Sequence, residues 1–245
     1  IHYIYKSDYV IASSDSLIDI FSSAFHIDKN RILITGYPRN DILFRKMNGF
    51  EIGLNLSIFN KLKSLRDQNN KIILYLPTYR DVDGNSVIDS IFDFSKLEYF
   101  LEKNSAFLVL KLHPYIKTEI KEKCERIIIL PSDFDVYPIL HYVDILITDY
   151  SSVFFDFLLL DKPIIFFPFD LEKYLKNRGF YFNYDEYTPG PKAFTFDELL
   201  YWLNHFISGN DGFGTQRKKI RDLFFKYIDG NSSERIYNLI VSRKH

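Results

Sequence analysis

Cysteine and several familiar catalytic signatures are scarce or absent in this chain of 245 residues. The single cysteine, Cys124, excludes an intramolecular disulfide and any zinc site built on cysteines. There is no Gly-rich dinucleotide fingerprint, no P-loop lysine motif, no GxSxG elbow and no HExxH motif. The last two absences argue against a serine hydrolase and a zinc hydrolase.

The sequence also lacks an excess of charge and a long apolar run. Lysine and arginine total 31 against 32 aspartates and glutamates, a formal net charge of −1. This balance gives no support for nucleic-acid binding, which normally shows as a basic domain. No signal peptide is evident, and no apolar run approaches the roughly 20 residues of a membrane helix. We therefore expect a reducing, cytoplasmic setting and no nucleic-acid partner.

Apolar and aromatic residues are plentiful, at 47% and 18% of the chain. Predicted strands and helices alternate for most of its length, which indicates an α/β fold with a parallel, Rossmann-type sheet covered by helices on both faces. A weakly patterned stretch near residues 45–60 predicts a boundary. We expect residues 1–50 to end an N-terminal α/β domain and residues 51–245 to form a second domain with terminal helices. Because residue 1 is Ile1 and its neighbours already resemble interior structure, we expect a fragment of a longer protein.

The stretch at 144–170, DILITDYSSVFFDFLLLDKPIIFFPFD, predicts a complete βαβ unit. Residues 144–148 and 164–167 are the strands, 149–152 the turn and 153–160 the helix. Open α/β sheets bind ligands at the carboxyl ends of their strands. Ser151 and Ser152 would lie at the start of the helix, where unpaired amide hydrogens and the helix dipole favour a phosphate.

Two further predicted turns carry polar residues after buried strands. TYRD follows the run at 71–76, and His-Pro follows the run at 107–112. The three turns would share one sheet edge and form a diphosphate site. The residues proposed for it are Arg80, Lys111, His113, Ser151 and Ser152. Taken singly, a histidine after a strand is usually structural and a Ser-Ser pair is usually a helix cap; three such turns together favour the anion site.

A metal site is not predicted, and neither is a cofactor. Asp149 lies in the predicted turn and Asp156 in the helix that follows it, and these two carboxylates are too few ligands for a metal ion. Asp156 is instead expected to be a buried hydrogen-bond partner on a helix face.

Five segments together resemble the CDP-glycerol glycerophosphotransferases, which include teichoic-acid primases and polymerases and their capsule-building relatives. The segments, in the family's order, are GYPRND (36–41), LPTYRD (76–81), KLHP (111–114), ITDYSSVFFDFLLLDKPIIFFPFDLEKY (147–174) and RGFYFNYDEYTPGP (178–191). The resemblance implies a GT-B architecture with the nucleotide donor on the C-terminal domain, here residues 51–245, and the acceptor side on the N-terminal domain, of which residues 1–50 would be the end. It also implies transfer of glycerol phosphate, or a related polyol phosphate, from a CDP-linked donor to an acceptor hydroxyl, with release of CMP.

The resemblance assigns phosphate roles to several of these residues. Ser151 and Ser152 would hold the donor's diphosphate, and His113 would contact the phosphates and help CMP leave. Arg80 would lie near the same anion, and Asp149 would orient the turn.

The resemblance also places the PGP loop at 189–191 beside the nucleotide, with Arg178, Tyr184 and Gly190. One expected motif, Trp-His-Gly, is missing, since the only tryptophan is Trp202. Its histidine is the family's expected base, so we expect that base in an N-terminal portion and this fragment to be inactive by itself. Two alternatives stay open: a GT-B glycosyltransferase that uses a sugar nucleotide, and a non-catalytic nucleotide-binding module.

The family's acceptors are lipid-linked polyol-phosphate or polysaccharide chains at the inner membrane face. A basic cluster at 217–221, RKKIR, lies on a predicted helix and is a candidate for peripheral contact with anionic lipid. A solvated face of a packed helix explains the same cluster equally well.

Overall fold

A computed structural model describes residues 7–45, 55–78, 91–112, 124–177, 179 and 182–242. Contacts divide the chain into two compact units. Unit 1 comprises Ile1–Met47 and Lys219–His245, and unit 2 is Asn48–Lys218. The sequence predicted one domain over residues 51–245, whereas the contacts group residues 219–245 with the first residues of the chain. The acceptor-side role expected for residues 1–50 stays a prediction.

The regular elements alternate along the chain as the sequence predicts. The strands are β1 (Val10–Ala12), β2 (Ile32–Ile34), β3 (Lys71–Leu76), β4 (Ala106–Leu110), β5 (Ile127–Ile129), β6 (Ile145–Thr148) and β7 (Ile164–Phe166). The α-helices are α1 (Ile18–Phe25), α2 (Leu56–Asp67), α3 (Phe94–Lys103), α4 (Val153–Phe157), α5 (Leu171–Asn177), α6 (Tyr184–Tyr187), α7 (Phe196–Ile207), α8 (Gly214–Phe224) and α9 (Ser232–Ser242). The 3-10 helices are Asp15–Leu17, Lys29–Arg31, Pro38–Phe44, Tyr137–Tyr142 and Leu158–Leu160.

Unit 2 is built on a five-stranded sheet in the order β5-β4-β3-β6-β7. Every neighbouring pair is parallel. The central strand β3 is buried from Ile72 to Leu76, as expected for a strand covered on both faces. The predicted α/β class and parallel sheet are confirmed.

Aromatic residues fill the core on one face of this sheet. Ile73 and Tyr75 belong to one buried cluster with Leu97 of α3 and Leu203 of α7. The ring centroids of Tyr75 and Phe92 lie 5.6 Å apart in an edge-on arrangement. The high phenylalanine and tyrosine content is therefore used in packing.

The other face is covered by α2 and the 3-10 helix Tyr137–Tyr142. Phe59 and Leu62 of α2 are buried, and the ring of Phe59 meets that of Tyr142 with centroids 5.4 Å apart. Because strand residues alternate between faces, Ile72 and Leu74 point to this side. A buried leucine or phenylalanine contributes about 1.5–3 kcal/mol, so both faces add to the stability of unit 2.

Two boundaries in unit 2 differ from prediction. The helix expected at 153–160 is α-helical only to Phe157 and continues as a 3-10 helix to Leu160. The chain then turns at Asp161, which has a left-handed backbone (φ 49°), and Pro163 follows. The strand expected at 107–112 runs from Ala106 to Leu110, so Lys111 lies just beyond its end.

Unit 1 contains the parallel pair β1–β2 and the helix α9. The GYPRND segment has a structural role in this unit. Gly36 has a positive φ of 76°, and Asp41 accepts hydrogen bonds from the backbone N–H groups of Ser232 and Ser233, both at 2.8 Å. Asp41 therefore caps α9 from 191 residues away in sequence.

Candidate functional site

The candidate site lies at the carboxyl edge of the sheet in unit 2, where β3 and β6 end side by side. Leu76 is paired with Thr148 in the register of these two strands. The residues that follow the two strands are therefore adjacent, and Thr78 after β3 contacts Asp149 after β6.

Asp149 joins the two chain segments that follow β3 and β6. Its side chain is fully buried, with 0% exposure. Its carboxylate accepts from the Thr78 N–H at 2.9 and 3.1 Å, from the Thr78 hydroxyl at 2.6 Å and from the Tyr150 N–H at 2.5 Å. A buried carboxylate needs such donors to offset its lost hydration. These bonds orient the turn, and a direct contact of Asp149 with phosphate stays a prediction.

Ser151 and Ser152 occupy the start of α4. The Ser151 hydroxyl accepts from the Val153 N–H at 3.4 Å. Ser152 is exposed and makes no capping hydrogen bond with its side chain. Because α4 has only five residues, its dipole is weaker than that of the longer helix predicted. The hydroxyls and backbone amides are therefore the main attraction for an anion here, and their contact with phosphate stays a prediction.

Tyr184 brings a third segment to the same place. Its hydroxyl donates to the backbone carbonyl of Asp149 at 3.0 Å. The short helix α6 that carries it is capped by Asn183, whose side-chain oxygen accepts from the N–H groups of Asp185 and Glu186 at 3.0 and 3.2 Å. Tyr184 thus contacts the turn that carries Ser151 and Ser152, and its predicted place beside the nucleotide stays a prediction.

Gly190 fixes the PGP loop against β7. A Cβ atom at this position would lie 2.2 Å from the carbonyl oxygen of Ile164, so any side chain would displace the loop. The neighbouring backbone pairs with Phe166, which donates to Pro191 at 2.9 Å and accepts from Ala193 at 2.8 Å. The loop therefore extends the sheet edge beside β7.

Lys192 lies directly after this loop, and the pKa of its ammonium group is lowered. Burial lowers the pKa of Lys192, and the nearby carboxylate of Asp185 opposes that shift. The ammonium donates to the carbonyl of Thr188 at 2.9 Å and lies 5.8 Å from the centroid of the Phe166 ring. These contacts hold the base of the loop.

Lys111 follows β4, the neighbour of β3 on the side away from β6. Its ammonium donates to the carbonyl of Phe134, which gives Lys111 a structural contact; its phosphate role stays a prediction. Three other predicted site residues, Arg80, His113 and Arg178, lie outside the described residues. The structure thus brings together Asp149, Ser151, Ser152 and Tyr184, with Gly190 in the adjoining loop.

Thr78 and Tyr150 were not singled out from the sequence. Tyr150 stacks on Tyr174 with ring centroids 3.8 Å apart, and its hydroxyl donates to Asp170 at 2.9 Å. Asp170 lines an open pocket of about 580 Å³ beyond the end of β7. The signal for Thr78 was its place in LPTYRD, immediately after a buried strand. Nothing local marked Tyr150 as a link to residues 170 and 174.

Asp156 is 2% exposed and accepts from the Tyr137 hydroxyl at 2.5 Å. The prediction of a buried hydrogen-bond partner is confirmed. Among the described residues, no group of three or more histidines, cysteines, aspartates and glutamates could hold a metal ion.

The basic cluster at 217–221 is largely engaged within the protein. Arg217 is 3% exposed, and its guanidinium donates to both carboxylate oxygens of Asp211, at 2.9 and 2.5 Å. Lys218 pairs with Asp161 at 3.6 Å and Arg221 with Asp222 at 2.8 Å. Over the part of the chain that the structure describes, no helix has the length and apolar character of a membrane span.

Comparison with known proteins identifies close relatives of the whole chain. The family model for CDP-Glycerol:Poly(glycerophosphate) glycerophosphotransferase matches residues 2–242. The chain is 35% identical over 240 residues to the teichoic acid ribitol-phosphate polymerase TarL of Staphylococcus aureus, covering 96% of this chain and 41% of TarL. It is also 35% identical over 239 residues to the teichoic acid glycerol-phosphate primase of Bacillus subtilis, covering 97% of this chain and 58% of the primase.

Among solved structures, the wall teichoic acid polymerase TagF soaked with CDPG matches with a TM-score of 0.80 and 31% identity. The match covers 98% of this chain and 59% of the TagF chain. The chain therefore spans about half the length of these relatives.

Proposed function

Because this chain belongs to the CDP-glycerol:poly(glycerophosphate) glycerophosphotransferase family, we propose that it serves the transfer of glycerol phosphate from CDP-glycerol to a hydroxyl of a teichoic-acid-type acceptor. The acceptor oxygen attacks the phosphorus that carries the glycerol. The bond from that phosphorus to the CMP oxygen breaks, and CMP leaves. The hydroxyl proton passes to a base, for which this sequence offers no Trp-His-Gly histidine.

The observation that best supports this function is the meeting of Thr78 after β3, the turn after β6 and the Tyr184 segment at Asp149, beside Ser151 and Ser152. Phosphoryl transfer depends on positioning and on neutralising the charge of the phosphates. Hydroxyl and amide donors at one sheet edge suit both tasks. In this proposal Ser151 and Ser152 bind the diphosphate, and His113 assists the departure of CMP.

The remaining predicted residues surround this diphosphate. Arg80 and Lys111 supply positive charge near it, while Arg178 and the PGP loop with Gly190 border the nucleotide.

The polyol carried by the donor is glycerol in the first instance, with ribitol as the related substrate. Relatives named for each polyol match this chain at 35% identity. CDP-glycerol and CDP-ribitol are therefore both donors to be tested.

We further propose that the acceptor is a lipid-linked polyol-phosphate chain and that the reaction takes place on the cytoplasmic side of the membrane. Since Arg217, Lys218 and Arg221 already pair with acids of the protein, membrane association comes through the acceptor and not through the basic cluster.

The test measures CMP release by the full-length protein with CDP-glycerol, CDP-ribitol or a UDP-sugar and a polyol-phosphate acceptor. His113→Ala should lower the rate about 10²-fold or more if this residue acts as an acid catalyst. Ser151→Ala removes one hydrogen bond to a charged group and should lower kcat/KM about tenfold or more. Ser208→Ala, an exposed serine at the end of α7 in the same unit, is the matched control.

Activity with a UDP-sugar and none with either CDP-polyol would refute the proposed function. Equal rates for Ser151→Ala and Ser208→Ala would remove Ser151 from the donor site while leaving the reaction in place.

A further inference from the structure

Asp149 is the point where three segments of unit 2 are held together. Its carboxylate binds Thr78, 71 residues earlier in the chain, and its backbone carbonyl accepts from Tyr184, 35 residues later. The carboxylate is fully buried and directed toward donors of the protein.

Thr78 supplies two of the donors that satisfy Asp149. The backbone N–H is available with almost any residue at this position, but the hydroxyl, at 2.6 Å, is available only from threonine or serine. Removing the hydroxyl leaves a buried, charged acceptor less well satisfied. Such a loss is among the more costly changes in hydrogen bonding.

Loss of the hydroxyl affects the turn at 149–152, which carries Ser151 and Ser152. Ser151 lies two residues after Asp149, and Tyr150 N–H is bonded to the same carboxylate oxygen as Thr78. When the Asp149 carboxylate shifts, the turn that carries Ser151 shifts with it. A misplacement of about 1 Å in an active site can cost about 10²-fold in rate, so a smaller shift of this turn is expected to cost about tenfold.

We propose that Thr78 is a positioning residue of the donor site, which acts through Asp149 on the turn that carries Ser151. This inference rests on the proposed function, because the donor is CDP-glycerol or its ribitol counterpart.

The test compares three variants of the full-length protein at a temperature well below the unfolding temperature of each. Thr78→Val keeps the shape and removes the hydroxyl, and Thr78→Ser restores the hydroxyl. Thr148→Val is the matched control, since Thr148 is also fully buried and donates to the Leu76 carbonyl at 2.8 Å, between the same two strands. Donor affinity, kcat, KM and the unfolding temperature are measured for each.

We expect Thr78→Val to lower kcat about tenfold with a smaller change in KM, as for a group that matters most in the transition state. Thr78→Ser should stay within about twofold of wild type, because one hydroxyl hydrogen bond is restored. Thr148→Val should lower the unfolding temperature to a similar degree as Thr78→Val but leave kcat within about twofold, because its bond orients no turn residue.

The inference is wrong if Thr78→Val has the kcat of wild type, if serine does not rescue it, or if Thr148→Val lowers kcat as much. A wild-type protein that neither binds nor uses a CDP-polyol overturns the proposed function, and the inference with it. Wild-type turnover that Thr78→Val fully retains overturns the inference alone.

Discussion

At the scale of single residues, the candidate site depends on side chains that are satisfied within the protein. Asp149 accepts from Thr78 and Tyr150, and Lys111 donates to Phe134. These contacts stabilise the frame of the site. Ser152, by contrast, is exposed and makes no capping bond with its side chain, and its contact with the donor's phosphates stays a prediction.

Gly190→Ala should destabilise unit 2 by about 3 kcal/mol, the upper end of the usual cost of overpacking. The added Cβ would lie 2.2 Å from the Ile164 carbonyl oxygen, and a strand backbone cannot move away as a side chain can. Urea unfolding monitored by tryptophan fluorescence measures the change.

Gly212→Ala is the control for this substitution, since no atom lies within 4 Å of a Cβ at that position. Its effect should stay within about 0.5 kcal/mol, as for other surface substitutions. Equal stability of the two variants would mean that the PGP loop does not pack against β7 in solution.

At the scale of elements, helix ends are held by local and by distant residues. Helix α7 has a local capping box, in which Thr195 accepts from the Glu198 N–H and Glu198 accepts in return. Helix α9 is held instead by Asp41. The capping box of α7 can be recognised from neighbouring residues, whereas the Asp41 cap of α9 is visible only in the folded chain.

Asp41→Ala should destabilise unit 1 by about 1–2 kcal/mol, because two N–H groups of α9 lose their acceptor. Burial acts to raise the pKa of Asp41, but the hydrogen bonds from Ser233 and Ser232 outweigh it and hold the pKa below 3.8. A carboxylate with a lowered pKa stabilises the fold above its unfolded-state pKa, and this contribution is lost as the pH falls through the lower folded value. Thermal unfolding at pH 7 and pH 3 measures both effects.

The control is Asp28→Ala in the same unit. Asp28 precedes the 3-10 helix Lys29–Arg31 and makes no capping hydrogen bond with its side chain. Its replacement should change stability by less than about 0.5 kcal/mol. If the difference in stability between Asp41→Ala and wild type were the same at pH 3 as at pH 7, the capping role of Asp41 would be contradicted.

At the scale of the whole molecule, charge is nearly balanced, and three residues of the basic cluster pair with acids. The net charge is −1, and the most basic segment includes a buried arginine, Arg217. A cluster that looks available for lipid in the sequence is thus partly an internal ion-pair network. Breaking a buried ion pair commonly costs about 3–5 kcal/mol, which makes Arg217 a stability residue.

Replacing Lys219 and Arg221 together with alanine should change binding to phosphatidylglycerol vesicles by less than about twofold relative to wild type. If these residues contacted anionic lipid directly, replacing them would weaken binding by about 1 kcal/mol for each residue. Vesicle co-sedimentation without acceptor is the measurement. The control replaces Lys61 and Lys63, two exposed residues of α2, with alanine and so removes the same positive charge elsewhere. A tenfold loss of vesicle binding that is confined to the 219/221 variant would contradict the prediction and establish lipid contact by the cluster.

Much of the fold and part of the site follow from the sequence. Periodicity and the 149–152 turn predicted the βαβ unit, because strand, helix and turn preferences depend on adjacent residues. The family motifs predicted that Asp149, Ser151 and Tyr184 belong to one region. The shortened α4 was missed because a long apolar run does not distinguish an α-helix from its 3-10 continuation.

Residue patterns were sufficient to predict the α/β class, the alternation of strands and helices, the polar residues after buried strands and the family. The folded chain was needed to show that β3 lies between β4 and β6, that Thr78 therefore contacts Asp149, that Asp41 caps α9 and that Arg217 is buried. The physical reason is the range of the interactions. Backbone preferences act between neighbours in the chain, whereas the partners of a buried polar group are set by which strands and helices become neighbours in space.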